Sequence, residues 1–532
     1  MAFARILSPT LNYSKRELPL QVAGALLSGL LVVLAFPRYG FEIGLDWLVW
    51  VALAPLFFSA TGSGWRRGLF LGWCTGFLLE SSGFCWILLA IRRFTGLPSI
   101  VSSLLFAVWA TYASIPWALL GCVLGRSRRS SNLWVALAAW VAIEGLFPRL
   151  FPWHLGGALY GREWLLQCAD LLGASGLTGL IFIWNALVFS GICALRKQRK
   201  PPYALGAACA ILLTAALLYG RARIETVTRA AGEVPALSVL LVQGALDPEI
   251  KNKRGLEHYL AETRRLLQGK SQMELPALIV WPEGADQHSF NLDPRSSPWA
   301  FHVRHLPAER LFQAIPSPLV AGSAGYVENR LPEFSNVAFY LEPGKPPRFY
   351  EKNRRILFGE HVPGIEWLPE SWRRELFKNI GTLWPGQGNP PLRLGAYTFK
   401  NLICYEAVLP DYVTESSVGA DFLVNITEDV WYGRSAHIPQ HVSVLTLRVV
   451  ENRTPIVRCA NMGPSGVFHA TGRFERGEQI FAPEGVWAEL RPRSLPTFYK
   501  SWGRHLPLGA LVLVLGGWIS LRVRKKVGSD KR

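Results

Sequence analysis

Apolar residues are segregated along this chain, and that segregation constrains its architecture more than any single motif. Residues from about 18 to 220 are dominated by long apolar runs, the middle reads as ordinary globular sequence, and a last apolar run occupies Pro507 to Leu521. A helix needs roughly 20 mostly apolar residues to span a bilayer. Eight stretches approach that length, near 18–36, 43–62, 68–91, 99–124, 133–150, 176–195, 202–220 and 505–523. Asp46 lies near the start of the second and Glu80 interrupts the third. The expectation is an eight-span helical bundle with a separate extramembrane domain. Residues 1–224 would be a membrane domain of seven helices, 225–500 the extramembrane domain, and 501–532 a final span with a basic tail.

The formal charge of +18 across 532 residues invites a nucleic-acid reading, but the placement of the charge argues against one. Basic groups fall between the spans, at Lys15/Arg16, Arg66/Arg67, Arg126/Arg128/Arg129 and Arg196/Lys197/Arg199/Lys200, with a last cluster at Arg522/Arg524/Lys525/Lys526. With eight spans all of these clusters land on one side. Lys/Arg-rich loops face the cytoplasm, so both termini are expected there and residues from about 221 to 504 on the far side, the periplasm of a Gram-negative cell. Arg92/Arg93 are the counter-signal. The first apolar run begins late and others follow it, so a span is expected there and not a cleaved signal peptide.

Six of the eight cysteines lie in or beside the spans, leaving Cys404 and Cys459 in the extramembrane part. A disulfide between those two remains open, and no Cys/His spacing points to zinc. From Ala236 onward short β-type runs alternate with loops and helices: Leu237–Gln243, Ala277–Trp281, Leu319–Ser323, Asn336–Leu341, Leu402–Cys404, Asp421–Ile426 and Ile456–Ala460. Leu256, Tyr259, Leu260, Leu266 and Leu267 follow helical spacing, as do residues from His437 to Glu451. Alternating strands and helices indicate an α/β fold.

Three chemically distinct groups stand at predicted strand ends: Glu283 after Trp281-Pro282, Lys352 after Tyr350-Glu351, and Cys404 after Leu402-Ile403. A cysteine attacks only as its thiolate, which a cation and a base favour. Lys352 can supply the cation and hold a developing oxyanion. Glu283 can take the thiol proton and return it to a leaving group. The backbone N–H after Cys404 can complete an oxyanion hole. Each residue alone is better explained by packing or surface charge; the conjunction points to acyl transfer through a thioester.

The order Trp281-Pro282-Glu283, Lys352, Cys404-Tyr405-Glu406 resembles the nitrilase, or carbon–nitrogen hydrolase, superfamily. With the fused apolar part, nearly the whole chain resembles that superfamily's membrane-fused branch, the apolipoprotein N-acyltransferases of bacterial envelopes. Val242-Gln243-Gly244, Phe358 to Pro363, Trp431-Tyr432-Gly433, Gln440-His441, Arg448 to Gly463, Glu144 and Phe151-Pro152-Trp153 carry the likeness further.

The resemblance implies a four-layer α-β-β-α sandwich joined to a transmembrane bundle, and a two-step transfer with no cofactor and no metal. A phospholipid would give its acyl chain to Cys404, and the α-amino group of a diacylglyceryl-cysteine on an apolipoprotein would accept it. That is the last step of lipoprotein maturation, in the inner membrane. Glu360 and Glu406 match further acidic positions of the family site and would support it. Trp431 and Tyr432 would cover the acyl chain, although core packing suits both nearly as well.

Glu80, Glu144, Arg149 and His154 lie in or beside apolar segments, where pairing between helices is the simpler account of them. Several positions depart from the family pattern: Leu357 stands for its proline, Glu428 and Met462 for its asparagines, and Asn252 for its aromatic. These fall in loops that would shape the substrate site. Two other readings stay open: a membrane-tethered amidase-like hydrolase that passes the acyl group to water, and a silent lipoprotein-binding membrane protein.

Overall fold

The computed structural model describes residues 17–38, 40, 44–127, 133–198, 200–286, 289–292, 315–326, 334–364, 367, 369, 371 and 383–529. Lys15, Arg16, Arg128, Arg129 and Arg199 of the basic clusters lie outside these residues, as do the side chains of Asn252 and of the last cluster. The chain divides into two compact units. One comprises residues 1–88, 100–223 and 497–532; the other comprises 89–99 and 224–496.

The first unit is helical. Four of its helices are long and apolar enough to cross a bilayer: Leu18–Ala35, Ser99–Arg126, Ala169–Arg196 and Tyr203–Gly232. The stretch expected near 68–91 is two helices, Trp65–Gly83 and Trp86–Thr95, bent by 62° and passing the same test only together. The stretches expected near 43–62, 133–150 and 505–523 are shorter apolar helices, Asp46–Ala60, Leu133–Leu146 and Gly503–Gly517. Helices here approach closely through small residues, as membrane helices commonly do. A Cβ on Gly121 would lie 2.1 Å from the Gly68 carbonyl oxygen, so that crossing tolerates no side chain.

Several charged groups in this unit are paired. Arg162 makes a two-pronged ion pair with Asp46 at 2.6 Å through both nitrogens. Asp170 accepts from Tyr219 and Arg223, each at 2.6 Å. Glu144 accepts the Leu155 N–H at 2.7 Å, and Arg149 lies 3.9 Å from Glu80 and over the Trp153 ring. Glu80 and Arg149 thus meet within the helical unit, and Glu144 is held by a backbone donor.

The second unit holds thirteen strands among the described residues: β1 (Leu237–Gln243), β2 (Leu278–Val280), β3 (Ser289–Asn291), β4 (Leu319–Tyr326), β5 (Ser335–Leu341), β6 (Arg348–Glu351), β7 (Leu392–Leu394), β8 (Tyr397–Ile403), β9 (Phe422–Thr427), β10 (Ile456–Ala460), β11 (Gly466–Phe468), β12 (Phe474–Arg476) and β13 (Glu484–Leu490). They form two sheets, ordered β13-β1-β2-β4-β5-β6, with β3 beside β4, and β12-β11-β10-β9-β8-β7. In the first, β1, β2 and β4 are parallel, and two antiparallel steps bring β6 back to their direction. In the second, β8, β9 and β10 are parallel.

Side chains alternate across a strand, and this decides which faces meet. Val239, Leu241, Leu278 and Val280 of the first sheet pack with Phe422, Val424, Ile426 and Val457 of the second in one buried cluster between the sheets. Leu240, Val242, Ile279 and Trp281 point the other way, onto Leu256, Tyr259 and Leu260 of helix Pro248–Leu267. Helix Pro410–Ser417 packs on β8, β9 and helix His437–Asn452 beyond the second sheet. The layers therefore run helix, sheet, sheet, helix. Each fully buried aliphatic or aromatic side chain contributes about 1.5–3 kcal/mol, and these clusters hold the strand ends in place.

Candidate active site

Cys404 follows β8 directly and opens a short 3-10 helix, Cys404–Val408. Its φ is +52°, left-handed backbone that costs a non-glycine residue about 1 kcal/mol. The sharp turn takes Cys404 out of the strand that was expected to end on it. Lys352 follows β6, and its N–H donates to the Asn336 carbonyl at 2.8 Å. Glu283 lies just past β2 in a turn fixed against β4: Gly322 donates to the Pro282 carbonyl at 3.1 Å and Asp286 to the Gly322 carbonyl at 3.0 Å. A Cβ on Gly322 would lie 2.6 Å from the Glu283 Cα, so only glycine admits the turn this close.

The two charged residues meet. Lys352 Nζ donates to Glu360 Oε1 at 2.6 Å and lies 3.7 Å from Glu283 Oε1. Asn336 Nδ2 donates to the same Glu283 oxygen at 2.7 Å. Burial works against the charge on Lys352, but Glu360, Glu283 and Cys404 outweigh it and hold the ammonium above its ordinary value. Cys404 feels the same neighbours with opposite consequence. Burial pushes its thiol up and the Glu283 carboxylate adds to that, while Lys352 and a hydrogen bond with Thr427 pull it back. The thiol is therefore protonated at rest, with an ammonium and a carboxylate beside it.

Glu406 faces away from that chemistry. Its buried carboxylate accepts from the N–H groups of Ile403 (2.8 Å), Asn353 (2.7 Å) and Arg354 (2.9 Å) and from the Tyr350 hydroxyl (2.6 Å). It ties the segment after Lys352 to the strand end that carries Cys404. Burial nonetheless pushes its carboxyl up to about 7. Glu360 has a similar second bond, accepting the Ile356 N–H at 2.9 Å.

Tyr432 is buried, stacked on His437 with ring centroids 3.6 Å apart. Burial raises its hydroxyl well above the usual range, with Cys404 and Asp429 adding. Trp431 is partly buried against Phe94, and Arg93 donates to the carbonyls of Val430 (2.7 Å) and Trp431 (3.0 Å). The basic residue that ran against the charge pattern thus has local partners inside the second unit.

Asp429, His437 and His441 bring one ligand atom each within 4.8 Å of one another, fully buried. A guanidinium already serves them: Arg458 donates to Asp429 at 2.5 Å and lies 3.4 Å from His441 Nδ1. Burial opposes charge on Asp429, but Arg458 and the imidazoles hold its carboxyl well below the usual range. The group reads as a buried charge pair and not as a cation site. Cys404 and Cys459 are both free thiols, and Cys459 points at the Val280 carbonyl at 3.2 Å.

Sequence reasoning missed Asn336, Thr427, Tyr350, Lys251 and Arg458. Lys251 carried a hint in standing beside the flagged position 252, and Arg458 in lying within the family-like stretch from Arg448 to Gly463.

Comparison with known proteins places the chain. The family model for the apolipoprotein N-acyltransferase N-terminal domain matches residues 28–187, and that for carbon–nitrogen hydrolase matches residues 253–483. An apolipoprotein N-acyltransferase of Geobacter metallireducens is 30% identical over 495 residues, covering 90% of this chain and 91% of the relative. Those of Chlorobaculum tepidum and Bdellovibrio bacteriovorus are each 27% identical, covering 90% and 93% of this chain and 92% of either relative. The two-sheet domain is thus a carbon–nitrogen hydrolase fold, its helical unit is that of a membrane protein, and the chain belongs to the apolipoprotein N-acyltransferase family, an acyltransferase.

Proposed function

We propose that this protein moves an acyl chain from a membrane phospholipid to the α-amine of a diacylglyceryl-cysteine on an apolipoprotein, through a thioester on Cys404. The observation that carries this reading is the meeting of Lys352 with Glu283 and Glu360 beside the protonated thiol of Cys404.

In the first half-reaction Sγ of Cys404 attacks the ester carbonyl while Glu283 takes the thiol proton. Proton removal must accompany attack, because burial and Glu283 itself disfavour a free thiolate. The oxyanion forms against Lys352 and the backbone N–H that follows Cys404. Its collapse breaks the ester bond, and the glycerol oxygen leaves with the proton held by Glu283, giving a lysophospholipid. In the second half-reaction the acceptor amine attacks the thioester, Glu283 takes its proton, and Sγ departs to be reprotonated. Glu360 fixes Lys352, Glu406 fixes the segment after it, and Trp431 and Tyr432 face the acyl chain. No step calls on a metal or an organic cofactor.

The membrane arrangement belongs to the same proposal. The four long apolar helices, the bent pair and the three shorter helices make eight crossings, with both termini cytoplasmic and residues 225–500 in the periplasm of the inner membrane. Both substrates are held in a bilayer, so a site on a membrane-anchored domain reaches them without extracting them.

The test is to incubate the full chain in detergent with labelled phospholipid and a diacylglyceryl peptide. N-acylated peptide and lysophospholipid in equal amounts are expected. Free fatty acid without N-acylated peptide would make it a hydrolase.

A further inference from the structure

Against the backbone of Glu283 lies a second buried ion pair. Lys251, on helix Pro248–Leu267, bonds the carboxylate of Glu428 and donates to the backbone carbonyl of Glu283 at 3.1 Å. Both side chains are buried, each no more than 6% exposed. Glu428 also accepts from Asn461 Nδ2 at 3.1 and 3.0 Å and from the Val430 N–H at 3.3 Å. Asn461 in turn accepts the Leu246 N–H at 3.0 Å and the Tyr259 hydroxyl at 2.9 Å. The network joins the segments after β1, β2, β9 and β10.

This network bears on Glu283 in two ways. It grips the turn: Lys251 holds its carbonyl, and the same helix packs so tightly that a Cβ on Gly255 would lie 2.6 Å from the Ala285 carbonyl oxygen. It also sets the charge around Glu283. Burial pushes the Glu428 carboxyl up, Lys251 pulls it down, and the Glu283 carboxylate pushes it up again, so the two acids feel each other. A paired Lys251–Glu428 is close to neutral as seen from Glu283; either member alone is not. The pairing also gives a physical account of the acid at 428, where the family pattern has an amide.

We infer that Lys251 and Glu428 are positioning residues for the acyl-transfer reaction, holding the Glu283 turn and balancing the charge behind its carboxylate. The inference rests on the proton-accepting role proposed for Glu283. Other groups facing Glu283 are Lys352, Asn336, Cys404 and Tyr432, and those facing Glu428 are Lys251, Asn461, Tyr259 and Glu283.

The experiment measures lysophospholipid release in a single turnover across pH, using the full chain with phospholipid in detergent. Lys251→Met removes the cation behind the base, so the acid limb of the profile should move up by about one pH unit. Glu428→Gln leaves an unpaired ammonium, so the limb should move down by about as much. Lys251→Met combined with Glu428→Leu removes both charges and should return the limb to its wild-type position. Limbs that coincide for all three variants, or that shift in the same direction for both single changes, would overturn the inference. Thermal unfolding of each variant separates loss of fold from loss of rate, and the double variant keeps the test alive if one single variant fails to fold. Glu283→Gln run in parallel isolates the underlying reading: if it keeps wild-type activity, the role of Glu283 fails, whatever the other variants show.

Discussion

The ammonium of Lys352 donates to Glu360 at 2.6 Å and lies farther, 3.7 Å, from Glu283. Lys352 is therefore anchored by Glu360, an arrangement that in the proposed mechanism leaves Glu283 to exchange a proton with Cys404 while keeping a cation beside it. Glu360→Gln keeps the shape and removes the charge. A hydrogen bond to a charged group is worth about 1.5–3 kcal/mol, so the acylation rate should fall about 10- to 100-fold. Single-turnover release of lysophospholipid measures it; an unchanged rate would make Glu360 a bystander.

Glu406 makes a different prediction. Four donors converge on its carboxylate. Glu406→Gln turns an amide N–H toward donors that need an acceptor, and each stranded buried group costs about 1–3 kcal/mol. The variant should lose about 2–4 kcal/mol of stability, read as a lower midpoint in chemical unfolding. Equal stability with lost activity would instead place Glu406 in the chemistry.

Acid should loosen the second unit through His441. Burial and the neighbouring Arg458 pull its imidazole from 6.5 down to about 3. Above pH 6.5 it is neutral in both folded and unfolded chains. As pH falls below that value only the unfolded chain takes the proton, so stability is lost between about pH 6.5 and 3, at about 1.4 kcal/mol per pH unit. His441→Gln should unfold with a shallower dependence between pH 6.5 and 5, by about one proton. Parallel slopes for the two proteins would contradict this.

The proposed eight crossings are tested by reporter fusions. Fusions after Ile224 and at the C-terminus should report opposite sides of the membrane. Finding both on one side would remove a crossing and with it the proposed placement of residues 225–500.

Strands β1, β2, β4, β5, β9 and β10 were legible because they are apolar runs bounded by polar ones; Glu283 follows one of them, Cys404 follows β8, of which only the apolar end was legible, and Lys352 follows the polar strand β6. The edge strands β7, β12 and β13 were not, nor was β11 beside β12, since they are short or carry charge along their length. Hydropathy also hid the 62° bend between Trp65–Gly83 and Trp86–Thr95, because both halves are apolar. The partners that tune the site were beyond reach for a topological reason. Lys251 and Glu428 stand 177 positions apart and meet only because the two sheets stack, and Asn336 stands 53 from Glu283 and meets it only through the strand order β2-β4-β5 of one sheet. Glu406 was legible as a site acid but not as a scaffold, since three of its four donors come from residues 350–354, more than fifty positions away.

The central claim is that Cys404 carries the acyl chain. Full-length protein incubated with phospholipid alone, then digested and examined by mass spectrometry, tests it most directly. The account predicts one acyl mass on the Cys404 peptide, lost when a diacylglyceryl peptide is added. Lysophospholipid formed while Cys404 stays unmodified, or an acyl mass on any other residue, would contradict it.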